Sequence, residues 1–283
     1  MRQLKKINIL RMKTITNISI IFCSLIAMSM LPLKVYAQVT VGITVRDAPP
    51  ELPVYNQPEC PVDGYLWEPG YWAYGDDGYY WVPGVWVNPP QNGYLWTPCY
   101  WGFSGGLYGF YGGYWGPHVG FYGGVNYGFG YGGSGYYGGR WQGGHFRYNT
   151  AVVNVNRSVI HNTYADRSVI SHNSASRASF NGPGGVRSNP SAQEKVAMKE
   201  NHVQSTSEQS SHQKAASTNR SQFSTVNRGH PATTAVNKVN QQRATHQVTK
   251  QSQPARSAPR AQPARQTQSH GGGSGGHASG RHK

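Results

Sequence analysis

Cysteine is almost missing from this chain: Cys23, Cys60 and Cys99 are all that 283 residues contain. A framework of several disulfides is therefore excluded, and in an exported chain the last two residues allow at most one bridge. Charge is also scarce, with eleven Asp and Glu in the whole sequence. Leu, Ile and Phe are few, and part of the 37% hydrophobic share belongs to one N-terminal run. Composition thus argues against a large aliphatic core. With 36 glycines and 18 prolines, it points instead toward low-complexity chain.

That N-terminal run indicates export. Arg2, Lys5, Lys6, Arg11 and Lys13 precede an apolar stretch from Ile18 to Leu33, and Val35-Tyr36-Ala37 follows with the small-residue pattern of a signal-peptidase site. The expected leader is residues 1–37, with Met1 or Met12 as the start, and the mature chain then opens at Gln38. A retained transmembrane anchor is the competing reading, although the run is short for a span. Cys23 lacks the small residues that precede a lipidated cysteine.

Charge divides the remainder. Residues 38–149 carry Arg46, Arg140 and Arg147 against seven acids, whereas residues 150–283 carry seventeen bases against four. The front is aromatic and mildly acidic, and the rear is basic.

Residues 38–101 hold a threefold phrase. "GYLWEPGYW" (64–72), "GYYWVPGVW" (78–86) and "GYLWTPCYW" (93–101) share Gly-Tyr-x-Trp-x-Pro-Gly/Cys-x-Trp. The separators contain Asp-Gly and Asn-Gly, which favour hairpin turns. A unit this short reads as one strand plus one turn, and three of them as a small antiparallel meander. Pro-Gly reads either as a kink within a strand or as a type II turn that folds each copy on itself; Cys99 in the glycine position favours the kink. The alternation of Val39, Val41, Ile43 and Val45 predicts a strand ahead of the array. Cys60 and Cys99 pair only if residues 54–63 fold back across the array, so a disulfide and two free thiols both remain open.

Beyond the array, residues 102–144 alternate glycine with aromatics and read as a flexible or self-associating segment. Residues 145–180 return to a β-like pattern, with Phe146 and Tyr148 on one face and "RSVIHN" recurring as "RSVISHN". Residues 181–283 read as a basic, mostly disordered tail with one marginal helix near 191–203. Ser191 and Glu194 form its capping box, and Ala192, Val196 and Val203 its thin apolar stripe. The expected fold class is mostly β with extensive disorder: an aromatic repeat meander, a second short β segment, one helix and a long tail.

The array resembles the YXWGXW repeat family of exported bacterial proteins, with Tyr65-Leu66-Trp67-Glu68-Pro69-Gly70-Tyr71-Trp72 carrying the likeness. "GGRWQGGHFRYNTAVVNVN" (138–156) and the basic rear resemble the longer Gly-rich members. The resemblance implies an exported protein of undefined activity and supplies no catalytic residues. Cys99 in place of Gly departs from the family pattern.

No arrangement of acids, serines or histidines has the spacing of an enzyme site, and Asp76-Asp77 lacks the further oxygen ligands a calcium loop needs. His270, His277 and His282 read as solvated tail residues. The expectation is a non-enzymatic envelope or matrix protein, periplasmic, surface-bound or extracellular, without cofactor or metal. Tyr65, Trp67, Trp72, Tyr79, Trp81, Trp86, Tyr94, Trp96 and Trp101 form either a sheet core or an exposed aromatic face for carbohydrate or peptidoglycan. The basic tail implies weak, salt-sensitive binding to polyanions, without a specific nucleic-acid partner, since it lacks stacking aromatics.

Overall fold

The computed structural model describes residues 41–172 and 176–239. The expected leader and the final stretch from residue 240 lie outside the described residues, as do His270, His277 and His282.

The first two repeat copies form one long hairpin. Its outgoing strand comprises β2 (Leu66–Glu68) and β3 (Tyr71–Gly75), and its returning strand β4 (Gly78–Val82) and β5 (Gly84–Val87). Leu66 pairs with Val87, Trp67 with Trp86, Tyr71 with Val82 and Trp72 with Trp81, so one register runs unbroken through the interruption. Pro69-Gly70 and Pro83-Gly84 are thus kinks facing each other across one hairpin, because proline cannot donate to the ladder. The glycines serve close approach, since a β-carbon at Gly70 would overlap the Trp81 ring and one at Gly84 the Trp67 ring.

The third copy corrects the meander. β6 (Leu95–Thr97) and β7 (Tyr100–Ser104) pair with β9 (Tyr114–Gly116) and β8 (Leu107–Tyr111), and not with the second copy. The register is again continuous through Pro98-Cys99 and Gly112-Gly113. The glycine-rich stretch 107–116 is therefore a degenerate fourth copy. Trp67, Trp72, Trp81 and Trp86 of the first hairpin correspond to Trp96, Trp101, Phe110 and Trp115 of the second. This correspondence offers an account of Cys99: Phe110 holds the register position that Trp81 holds in the first hairpin, where its indole occupies the space beside Gly70. One aromatic ring fewer makes room for one thiol.

Each hairpin is held by cross-strand rings. Trp67 and Trp86 lie 5.2 Å apart at 61°, Trp72 and Trp81 5.3 Å apart at 68°, and Trp96 and Trp115 5.2 Å apart at 55°. Such tilted and edge-on contacts are favoured by the ring quadrupole. The hairpins join where Trp101 Nε1 donates to the Trp72 carbonyl at 2.8 Å and Tyr79 meets Trp101 edge-on at 5.2 Å. β1 (Val41–Val45), expected from its alternation, pairs antiparallel with β8.

Residues 102–144, expected to be flexible, are built into this core. Beyond β8 and β9 they contain β10 (Asn126–Gly128), β11 (Tyr131–Gly132) and β12 (Gly139–Gln142). Tyr114, Trp115, Tyr122, Tyr127 and Tyr131 are buried. Three of these hydroxyls find backbone acceptors: Tyr122 donates to the Gly135 carbonyl at 3.0 Å, Tyr127 to that of Cys99 at 2.6 Å and Tyr131 to that of Trp96 at 2.9 Å. Aromatic burial, with these three hydroxyls bonded to the backbone, offsets the ordering cost of the glycines.

β13 (His145–Asn149) pairs with β12 and buries Phe146 and Tyr148 as expected, and β14 (Thr163–Tyr164) adds in parallel. Both "RSVI" copies depart from the β-like expectation, since residues 157–159 form a turn and Ser168–His172 a 3-10 helix. β15 (Phe180–Asn181) extends the sheet of β7.

The expected helix is α1 (Ala192–Ala197), with the Ser191–Glu194 capping box in place. Its orientation differs from the stripe expected of it: Val196 is 63% exposed, and Glu194 and Ala197 face inward. Residues 204–239, assigned to the disordered tail, instead wrap the hairpins. β16 (Val203–Gln204) pairs with β9, and β17 (Ala235–Val236) runs parallel to β5. Between them lie α2 (Ser207–Ser217), capped by Thr206 and Gln209, and α3 (Ser224–Asn227). Few apolar groups are involved, chiefly Ala216 and Phe223. Polar side chains with assigned partners and free hairpin edges do the rest.

Candidate functional site

The aromatic residues singled out in the repeats divide sharply. Trp67, Trp72, Trp81, Trp86, Trp96 and Trp101 are each 2% exposed or less, and Tyr79 is buried. Only Tyr65 and Tyr94 stay half-exposed. The exposed tryptophan face proposed for polysaccharide is thus absent. Phe129 and Tyr148 pack against Trp67 and Trp86, and the chain after residue 200 adds β16 and β17 to hairpin edges and sets Phe223 against Tyr80. Three of the indole N–H groups are spent on backbone carbonyls: Trp72 on Glu51, Trp81 on Thr234 and Trp86 on Pro58, at 3.0, 3.0 and 2.8 Å.

The covering chain brings together polar groups that sequence reasoning missed. Glu68, on the first Trp-x-Pro-Gly, is buried, and its Oε2 accepts from Gln209 Nε2 at 3.0 Å. Gln209 Oε1 accepts from Trp115 Nε1 at 2.7 Å and from the Thr206 N–H at 2.9 Å. One side chain therefore links the first hairpin, the second hairpin and the cap of α2. Burial pushes the Glu68 carboxyl up to about 7, with the Gln209 hydrogen bond opposing. One turn further, His212 Nε2 lies 2.7 Å from the Pro83 carbonyl, at the kink. The available signal was the Thr206-x-x-Gln209 capping spacing.

Cys60 and Cys99 are separate, buried free thiols, so the disulfide alternative is not realised. Cys60 bridges to Val155, with its Sγ 3.9 Å from the Tyr148 hydroxyl, whereas Cys99 sits in the second kink. Burial pushes the Cys60 thiol up to about 12 and raises Cys99 as well, which leaves both protonated and unreactive near neutrality.

A groove of about 500 Å³ lies between α1 and the core, with Leu95, Val119, Tyr136 and Val196 on its walls. At its rim His118 Nδ1 meets Glu200 Oε1 at 2.8 Å. Among the described residues, no three His, Cys, Asp or Glu side chains gather in a metal-binding group.

Residues 63–87 match the family model of the WXXGXW repeat, in two copies. That span coincides with the first hairpin, so the family unit is half of a kinked hairpin and the matched pair a complete one. Neither a curated protein nor a solved structure significantly matches the chain.

Proposed function

We propose that this is a non-enzymatic exported protein of the bacterial envelope or extracellular matrix. In this reading the aromatic repeat is a framework, and attachment to anionic envelope polymers is the work of the basic rear of the chain. The observation that carries it is the burial of all six repeat tryptophans against other aromatic rings, four of them in edge-on tryptophan pairs, which spends the repeat on construction rather than on a ligand. Seven bases and no acid follow residue 239, namely Arg243, Lys250, Arg256, Arg260, Arg265, Arg281 and Lys283. Such a run supports loose association with any polyanion through counterion release.

Two measurements test the reading. N-terminal sequencing of the protein from its native host should begin at Gln38, and a full-length cytoplasmic product overturns the export assignment. The purified chain should bind acidic polymers at low ionic strength and lose most of that binding near about 0.15 M salt, where the screening length is about 8 Å.

A further inference from the structure

The β12–β13 hairpin carries a charge arrangement that folding alone does not favour. Arg140 and Arg147 are directly opposite each other in its register. Opposed residues share one face, with β-carbons roughly 5 Å apart, and like charges in that relation are destabilising. Neither arginine forms an ion pair among the described residues, where the pairs are His118–Glu200 and Arg177–Glu51.

Both guanidinium groups are nevertheless held in place. Arg140 stacks over the Tyr164 ring, 4.5 Å from its centroid, and Arg147 lies 5.8 Å from the same ring. Arg147 Nη1 donates to Gln142 Oε1 at 2.9 Å, and Nη2 donates to the Thr163 carbonyl at 3.3 Å. The Arg140 side chain makes no hydrogen bond among the described residues and is exposed, so its N–H edge faces solvent. Stacking on an aromatic face while the N–H edge stays open preorganises arginine for a planar oxyanion. Asp166 offsets part of the charge, but its Oδ1 already accepts from Ser168 Oγ at 2.6 Å and Ser168 N–H at 3.0 Å.

We infer that Arg140 and Arg147, steadied by Tyr164, form a binding site for an anionic group of an acidic polysaccharide. The group is a uronate carboxylate or a sugar phosphate gripped between the two forks. Two features favour saccharide over a nucleic-acid track. The site is a single pair rather than a stripe of bases, and beside it Gln142 and the Thr163 carbonyl offer uncharged polar groups to sugar hydroxyls, while Asp166 places one acid near Arg140. The inference deepens the proposed attachment to envelope polymers, while locating a salt-resistant contact on the folded part rather than on the basic rear.

The test uses the full chain with polygalacturonate for the carboxylate and phosphomannan for the phosphate, at about 0.05 and about 0.3 M salt. In Arg140→Gln/Arg147→Gln, the affinity that persists at the higher salt should fall at least about tenfold for one or both polymers, as expected for lost charge-assisted bonds. Arg140→Lys/Arg147→Lys keeps the charge but loses the forks and the stacking, and should fall similarly. Thermal unfolding should show that both variants still fold, with a midpoint at most slightly below that of the parent, since Arg147 also donates to Gln142 Oε1 and the Thr163 carbonyl. Unchanged affinity at high salt in either variant overturns the site, as does DNA binding as tight as the polysaccharides under that condition. Neutralising the seven bases after residue 239 should remove only the low-salt component. If that component survives, the proposed role of the basic rear fails while the arginine pair stands.

Discussion

The Cys99–Phe110 relation makes a quantitative prediction about how the repeat tolerates variation. In the first hairpin the corresponding residues are Gly70 and Trp81, and a β-carbon at Gly70 would overlap the indole. Phe110→Trp should therefore drive an indole into the space of the Cys99 side chain and cost about 1–3 kcal/mol as overpacking. Cys99→Gly alone should cost about 1–2 kcal/mol, from backbone entropy and lost packing under the smaller Phe110 ring. Combined, Cys99→Gly/Phe110→Trp recreates the first hairpin's arrangement, so much of the Phe110→Trp cost should vanish. The expected coupling is about 1–3 kcal/mol, against the few tenths seen for independent sites. In a folded region of this size, about 2 kcal/mol corresponds to roughly 4–8 °C in midpoint. Denaturant unfolding followed by tryptophan fluorescence, with all four members of the cycle, gives the number. Costs that add within about 0.5 kcal/mol would refute the correspondence between the hairpins.

Three further outcomes follow from the buried polar groups. Burial raises the Glu68 carboxyl from 4.5 to about 7, so the folded state holds that proton more tightly than the unfolded chain. Its contribution is full below about pH 4.5 and is lost as pH rises to about 7, a decline of roughly 3 kcal/mol that Glu68→Gln should abolish in pH-dependent denaturation curves. Gln209→Ala strands the Trp115 N–H and the Glu68 carboxyl and should cost about 2–4 kcal/mol; tryptic cleavage after Lys214 and Arg220 should accelerate, and an unchanged digestion rate speaks against the link. Cys60 and Cys99 should resist a thiol reagent in the folded protein and both react after unfolding, whereas an oxidised mass on the native chain contradicts the separate thiols.

Much of the local structure follows from the sequence itself. The repeated Gly-Tyr-x-Trp-x-Pro-Gly-x-Trp phrase with Asp-Gly between copies points to paired strands, and Cys99 favours a kink over a turn at Pro-Gly. Ser191 and Glu194 mark the start of α1, because capping chemistry is satisfied within four residues. What lay beyond the sequence depended on partners far along the chain. Phe110 and Trp115 look like low-complexity residues until their register with Trp101 and Trp96 makes them a fourth copy. Gln209 and His212 look like solvated tail residues until Trp115, Glu68 and the Pro83 carbonyl supply their hydrogen bonds. The same closure hides the tryptophans: composition shows rings able to bury or to bind, and only the distant segments packed against the hairpins decide for burial. Arg140 and Arg147 are seven residues apart in sequence and side by side only because the Gly143-Gly144 turn sets their register. Local propensity is written in neighbouring residues, whereas the desolvation that decides between core and surface is set by segments more than a hundred residues away.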